Sequence, residues 1–217
     1  MYLIKHFGME SKNNKGSLTR SYQALRQSIG WIGMLLPPVL MLGVFFIFDG
    51  DLMERTISYY YYTGMRDVLV GALCAIGLFL FFYSGYDRWD DWAGNVAGFC
   101  AIGIAWFPGI KEGPGNWIST VHFASAIVFF LILAGYSLFL FTKKGLEVTT
   151  QKKKRNVIYV ICGLVMVACL IGLLVYFLNP HDGEQSSFAF LAESVALIAF
   201  GFSWLTKGGA IFPDIGE

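Results

Sequence analysis

Six long apolar runs, nearly free of charge, divide the chain: residues 27–48, 68–86, 92–110, 117–141, 156–178 and 187–206. Each has the ~20 residues an α-helix needs to cross a ~30 Å hydrocarbon layer, and a bilayer enforces helix because no water is present to pair exposed amides. With six crossings and their connections drawn from 217 residues, no room is left for a separate soluble domain. Only 14% of the residues are charged, against roughly 25% in soluble domains, and 56% are hydrophobic. The expectation is an all-α polytopic membrane protein: a six-transmembrane-helix bundle over 27–206, an N-terminal cytoplasmic segment 1–26 and a cytoplasmic tail 207–217. The third run, with Asn95 and several glycines, is the weakest; without its crossing every later orientation would invert. The opening MYLIKHFGMESKNNKGSLTR has no apolar core of the signal-peptide kind, so the first run is expected to stay as an anchor.

Basic residues orient such a chain more strongly than acidic ones do. One set of connections holds Lys5, Lys12, Lys15, Arg20, Arg26, Arg88, Lys143, Lys144, Lys152, Lys153, Lys154, Arg155 and Lys207; the other holds Arg55, Arg66 and Lys111. The asymmetry places both termini in the cytoplasm and suits a multi-pass protein of the cell membrane, with a bacterial inner membrane as the expected location. The run QKKKRN is its strongest marker, and anionic lipid adds ~1 kcal/mol per basic residue there. A net charge of +1 points to no nucleic-acid partner. Cys74, Cys100, Cys162 and Cys169 fall inside apolar runs, where they behave as small hydrophobes.

Packing leaves marks as well. Ala93, Gly94, Ala97, Gly98, Ala101 and Ala105 make a small-residue stripe that lets helix backbones approach, which marks the third span as central. Ala189, Ala192, Ala196 and Ala199 repeat the device in the sixth. Pro37 and Pro38 remove backbone donors in mid-span and predict a bend. The first and last three spans show no internal repeat.

Ionisable groups inside spans are costly, ~2.5 to 3.5 kcal/mol on insertion scales, and therefore point to function. Here they are His122, Glu193 and the pair Arg66 and Asp67 that opens the second span. Under the six-span topology all lie one to two turns below the outer surface, so they are expected to converge. The stretch RTISYYYYTGMRD would roof them, with Ser58, Tyr59, Tyr60, Tyr61 and Tyr62 supplying hydroxyls and rings. Ser119 and Ser125 share the His122 face at helical spacing, and Ser194 and Thr120 are in reach. The plainer reading is open beside this one: an aromatic belt of tyrosines, a packing histidine, and Arg66 or Asp67 in a structural ion pair. The ligand-binding set is thus Ser58, Tyr59, Tyr60, Tyr61, Tyr62, Arg66, Asp67, Ser119, His122, Glu193 and Ser194.

Sharper chemistries find little material. No His-Glu-x-x-His, Cys-x-x-Cys or Gly-x-Ser-x-Gly occurs, no mid-span lysine suits retinal, and one intramembrane histidine is too few for a haem pair. No metal site or particular cofactor is indicated. In YDRWDDWAGN the three aspartates read as a solvated turn, and NPHDGEQ reads as a turn that brings His181, Asp182 or Glu184 toward the outer ends. The leading expectation is a noncatalytic protein whose outward-facing polar and aromatic pocket binds a lipid headgroup or small ligand. A membrane hydrolase using Asp67, His122 and Glu193 around a metal or activated water is second. A proton-coupled carrier or channel is third, since the inner halves of the second, fourth and sixth spans offer no polar path. Expected partners are membrane lipids, a small-molecule or lipid ligand and, for an inter-chain pore, further copies of the chain.

The segments ISYYYYTGMRDVLVGALCAIGLFLFFYSGYD and AGNVAGFCAIGIAWFP, His-Phe in the fourth span and KKRN before the fifth resemble bacterial six-helix domain-of-unknown-function families. Those are distantly similar to the Frag/DRAM/Sfk membrane proteins. The resemblance covers residues 25–206 and implies lipid handling or membrane organisation, with no catalytic motif to transfer. A looser likeness, to seven-helix ceramidase-like hydrolases, lacks their His-x-x-x-His and seventh span.

Overall fold

The computed structural model describes residues 2–110, 114–143, 149–179 and 186–213, and side chains from residue 19 onward. Lys111, Lys144, His181, Asp182 and Glu184, the side chains of Lys5, Lys12 and Lys15, and the last residues of the tail lie outside that description. Six long helices make up the described chain: α1 Tyr2–Ile47, α2 Arg66–Phe82, α3 Arg88–Trp106, α4 Trp117–Gly135, α5 Thr150–Leu178 and α6 Phe188–Lys207. A 3-10 helix, Ile57–Tyr62, precedes α2, and a π-helical turn, Tyr136–Leu140, extends α4. No strand occurs among the described residues.

Local chemistry accounts for the helix starts. Asp87 accepts from the Trp89 and Asp90 amides at the head of α3, and Asn116 and Ser119 form a reciprocal capping box on α4. Thr149 accepts from the Lys152 amide on α5. α1 passes without a break through the polar residues 2–26 and through Pro37 and Pro38. The sequence set residues 1–26 apart by polarity, but no proline or capping signal interrupts the helix there.

Among the described residues, four helices are long and apolar enough to cross a membrane: Thr19–Ile47, Trp117–Leu140, Thr150–Leu178 and Phe188–Lys207, with mean hydropathies of 2.0, 2.3, 2.9 and 1.8. Their outward faces carry large apolar side chains such as Leu35, Phe46, Leu131, Ile161, Ile171 and Val195. The chain is therefore an all-α membrane protein: water would not tolerate a surface so apolar, and lipid requires it.

Each helix packs on the next in the chain and α6 returns to α1, giving a closed ring of neighbours. Two seams are drawn very tight. A Cβ on Gly201 would stand 2.5 Å from the Gly30 carbonyl oxygen and 2.7 Å from the Met34 amide nitrogen, so α1 and α6 meet backbone to backbone. A Cβ on Gly98 would lie 2.8 Å from the Gly77 carbonyl oxygen, so the small-residue stripe of α3 is its seam with α2. The most enclosed helix is α6, not α3 as the stripe suggested: 13 of its 20 residues are buried, against 5 of 19 in α3.

In the half of the ring nearer the basic ends, the interior is filled by aromatic rings. Trp204, fully buried, has Tyr83, Phe141, Phe79 and Phe200 around it at centroid distances of 5.0, 5.3, 5.4 and 6.0 Å. Edge-on and tilted contacts of this kind add to the area that such rings bury. The opposite half is less completely filled, and the candidate site lies there.

Candidate functional site

The Ile57–Tyr62 turn explains the tyrosine run. Thr56 caps it through a 3.0 Å bond from the Tyr59 amide. With three residues per turn, side chains at i and i+3 eclipse, so ISYYYY presents three pairs on three faces. Ile57 and Tyr60 form the buried pair, and Tyr60, with no exposed surface, rests on Phe190 at 6.0 Å. Its hydroxyl donates to the Leu52 carbonyl at 3.3 Å. Tyr59 and Tyr62 stack edge to face at 5.8 Å, and the Tyr62 hydroxyl donates to the Gly109 carbonyl at 2.8 Å. Ser58 and Tyr61 make the third pair.

Two of the ionisable groups expected inside spans, Glu193 and His122, reach this turn. Glu193, one turn into α6, accepts a 2.6 Å hydrogen bond from the Ile57 amide through Oε2. His122 of α4 lies 2.8 Å from the Ser58 hydroxyl through Nε2 and 2.7 Å from the Phe107 carbonyl through Nδ1. A carbonyl can only accept, so Nδ1 carries the proton, and in the neutral ring Nε2 accepts from Ser58. The Phe190 amide donates to the Arg55 carbonyl at 3.0 Å, a further tie between the turn's approach and α6. Consecutive residues of one short turn are thus pinned to two different helices.

Beneath the turn is a cavity of about 580 Å³ to which all six helices contribute: Leu36 of α1, Leu69 and Leu73 of α2, Ala105 of α3, Phe129 of α4, Leu173 of α5 and Glu193 of α6 are among its lining. Its walls are aliphatic and aromatic. Polar groups gather at the roof, where Ser58, Tyr59, Tyr61, Tyr62, His122, Glu193 and Arg55 line it. Ala189 and Leu197, four residues either side of Glu193, share the lining, and the small Ala189 side chain leaves room beside the carboxylate.

Not every expected residue joins. Arg66 and Asp67 are exposed and do not line the cavity. Leu69 is the cavity-facing residue of that turn, and at 100° per residue Asp67 lies about 200° away from it. Asp67 occupies the first turn of α2, where a carboxylate suits the helix dipole. Arg66 lies over the Tyr61 ring at 4.9 Å, outside the cavity. Ser119 is consumed by the α4 capping box, donating to the Asn116 carbonyl at 2.8 Å. Tyr60 lies behind the roof, and the Ser194 hydroxyl is buried away from the cavity without a partner. Arg55 and Thr56, inside the stretch expected to roof the site but not among its expected ligand-binding residues, line the roof; sequence reasoning missed Gly109 there and the α5 wall from Leu170 to Phe177. Nothing in the apolar part of α5, after Asn156, separates a cavity face from a lipid face.

Among the described residues, no group of three His, Cys, Asp or Glu side chains is placed to hold a metal ion. Comparison with protein-family models, with curated proteins and with solved structures returns no match to this chain.

Proposed function

We propose that the chain is a noncatalytic membrane protein whose roofed cavity binds a lipid headgroup or another small amphipathic ligand. In this reading all six helices cross the bilayer, both termini are cytoplasmic, and the cavity faces the outer leaflet of a bacterial inner membrane. Although α2 has only 17 residues, that is within the span range, and both α2 and α3 turn large apolar groups outward: Leu78 and Phe82, Phe99 and Trp106. The described basic residues Arg20, Arg26, Arg88, Lys143, Lys153, Lys154 and Lys207 lie on the side of the ring opposite the roof, which supports the orientation.

The observation that carries the reading is the pairing of an apolar cavity with polar groups confined to its roof. A volume of about 580 Å³ lies within the ~300–1,000 Å³ usual for small-molecule sites. His122 spends both ring nitrogens and Glu193 one carboxylate oxygen on holding the roof, which favours a shaped binding site over acid–base chemistry. The resemblance to families linked with lipid handling agrees with this. The test is lipid extraction and mass spectrometry of purified protein, comparing the parent with His122→Ala and Glu193→Ala. Both variants are expected to lose a stoichiometric copurifying ligand and the thermal stabilisation it confers. Unchanged ligand content and unchanged melting in both would overturn the proposal.

A further inference from the structure

The cavity's polar roof and apolar walls differ in how they meet the outside, and the difference has a direction. Its lining on four helices is sealed: Leu36 of α1, Leu69 of α2, Ala105 of α3 and Ala189 of α6 are 4%, 3%, 2% and 2% exposed. On the other two, residues that line the cavity also lie on the outer surface: Phe123 and Ile127 of α4 are 37% and 48% exposed, Leu174 and Phe177 of α5 54% and 52%. A side chain can do both only where the wall is one residue thick or open.

The packing of α4 on α5 supplies the cause. Toward the basic end the helices touch: a Cβ on Gly163 would lie 2.7 Å from Leu138 Cδ2 and 3.3 Å from the Ala134 carbonyl oxygen. At the roof end large side chains replace glycine, and the Phe123 and Phe177 rings meet across the gap at 5.9 Å. The two helices therefore part toward the roof, with a pair of phenyl rings spanning the opening. Ile127 and Leu174 lie about one turn below that pair.

Building on the cavity reading above, we infer that the cavity opens sideways into the bilayer between α4 and α5, and that its occupant is a single long acyl chain entering by that portal. The chain lies along the aliphatic wall, and its polar end sits under the Ile57–Tyr62 roof, where Ser58, the tyrosine hydroxyls and Arg55 line the space. The volume has room for one chain and not for two with a headgroup. Entry from the membrane also removes any need to unpin the roof.

The experiment uses the full chain reconstituted in phosphatidylcholine vesicles with palmitic acid carrying a chain diazirine, followed by photolysis and peptide mapping. Label assigned to single residues is expected at Ala189 and Leu197 of α6, which line the cavity and are 2% and 4% exposed, and at the portal residues, and not only at the lipid-facing Leu191 and Val195 of the same helix. The double substitution Ile127→Trp and Leu174→Trp, which adds bulk at exposed positions and spares the packed interior, should reduce the α6 label about tenfold. Leu164→Trp, on exposed α5 surface away from the cavity lining, should leave it unchanged; thermal melting confirms that each variant is folded. Persistent α6 label in the folded portal variant would overturn sideways entry while leaving a loaded cavity. Label confined to bilayer-facing residues would overturn the cavity reading itself. Excess palmitic acid or lysophosphatidylcholine should displace the label, and which one does so identifies a free fatty acid or a lysolipid as the source. Displacement by neither would overturn the single-chain assignment.

Discussion

Glu193 stands where a carboxylate costs insertion energy, and what it does there is hold one backbone amide. An Ile57 N–H left unpaired at that depth costs about 1–3 kcal/mol, more than an ordinary exposed bond is worth. Glu193→Ala should therefore lower the melting midpoint in detergent, whereas Glu193→Gln, which keeps an acceptor oxygen, should lose distinctly less stability. Equal losses would mean that the roof does not depend on this bond. At the opposite end the charges are exposed and their effects are of another kind. Lys143 lies 3.1 Å from Asp87 and 3.0 Å from Asp90. The Asp90 amide and then the Lys143 ammonium hold the Asp87 carboxyl below its ordinary 3.8, and Asp90 and Asp87 raise Lys143 above 10.5. A lowered carboxyl stabilises the folded chain above its unfolded value and loses that as pH falls through the folded one; a raised lysine loses its contribution as pH climbs past 10.5. The clamp is thus intact between those limits. Asp87→Asn, which keeps a capping oxygen, should flatten the acid side of the parent's melting profile below about pH 4 by a small amount, as expected for a screened surface pair.

Among the elements, α6 governs the architecture: it packs on α1 and α5, supplies Trp204 to the aromatic interior and supplies Glu193 to the roof. Its contact with α1 depends on two glycines facing each other. Gly201→Ala places a methyl against the Gly30 carbonyl and the Met34 amide, atoms that cannot rotate away, so α1 must shift outward. A cost of about 1–3 kcal/mol follows, read as a lower melting midpoint. Gly71→Ala, with no atom near the added carbon, should be neutral or slightly stabilising. Element by element, the apolar runs in the sequence lead to the helices within a few residues at every end but the start of α1, which runs on through the polar residues 2–26, because hydropathy and length decide whether a segment can leave water. The Gly and Ala stripe of α3 likewise leads to its seam with α2. Which helix is most enclosed was not legible, since both α3 and α6 carry such stripes and only α6 presents small or aromatic residues on several faces. The site was legible at Glu193 and His122, whose cost demands partners. It was not legible at Arg66 and Asp67, where a helix start pairs with its own dipole and with a nearby ring instead.

For the molecule as a whole, the ring of helices turns a question of orientation into one of sidedness. Neighbours alternate in direction, so the connections fall into two sets. The Tyr62 bond to the Gly109 carbonyl joins the α1–α2 and α3–α4 connections on one side. Lys143 with Asp87 and Asp90 joins the α2–α3 and α4–α5 connections on the other. If α2 and α3 both cross, each set lies wholly on one face of the membrane; if α3 failed to cross, Gly109 and Tyr62 would be on opposite faces and their bond could not form. Single cysteines in a background without Cys74, Cys100, Cys162 and Cys169 test this directly, at the exposed positions Asp51 and Pro114 for one set and Arg88 and Lys154 for the other. Because basic residues concentrate in the second set, Asp51→Cys and Pro114→Cys should react with an impermeant maleimide applied to intact cells. Arg88→Cys and Lys154→Cys should react only after permeabilisation. Reaction of Asp51→Cys without Pro114→Cys would remove the α3 crossing, and labelling of the basic set alone would reverse the orientation and turn the cavity toward the cytoplasm.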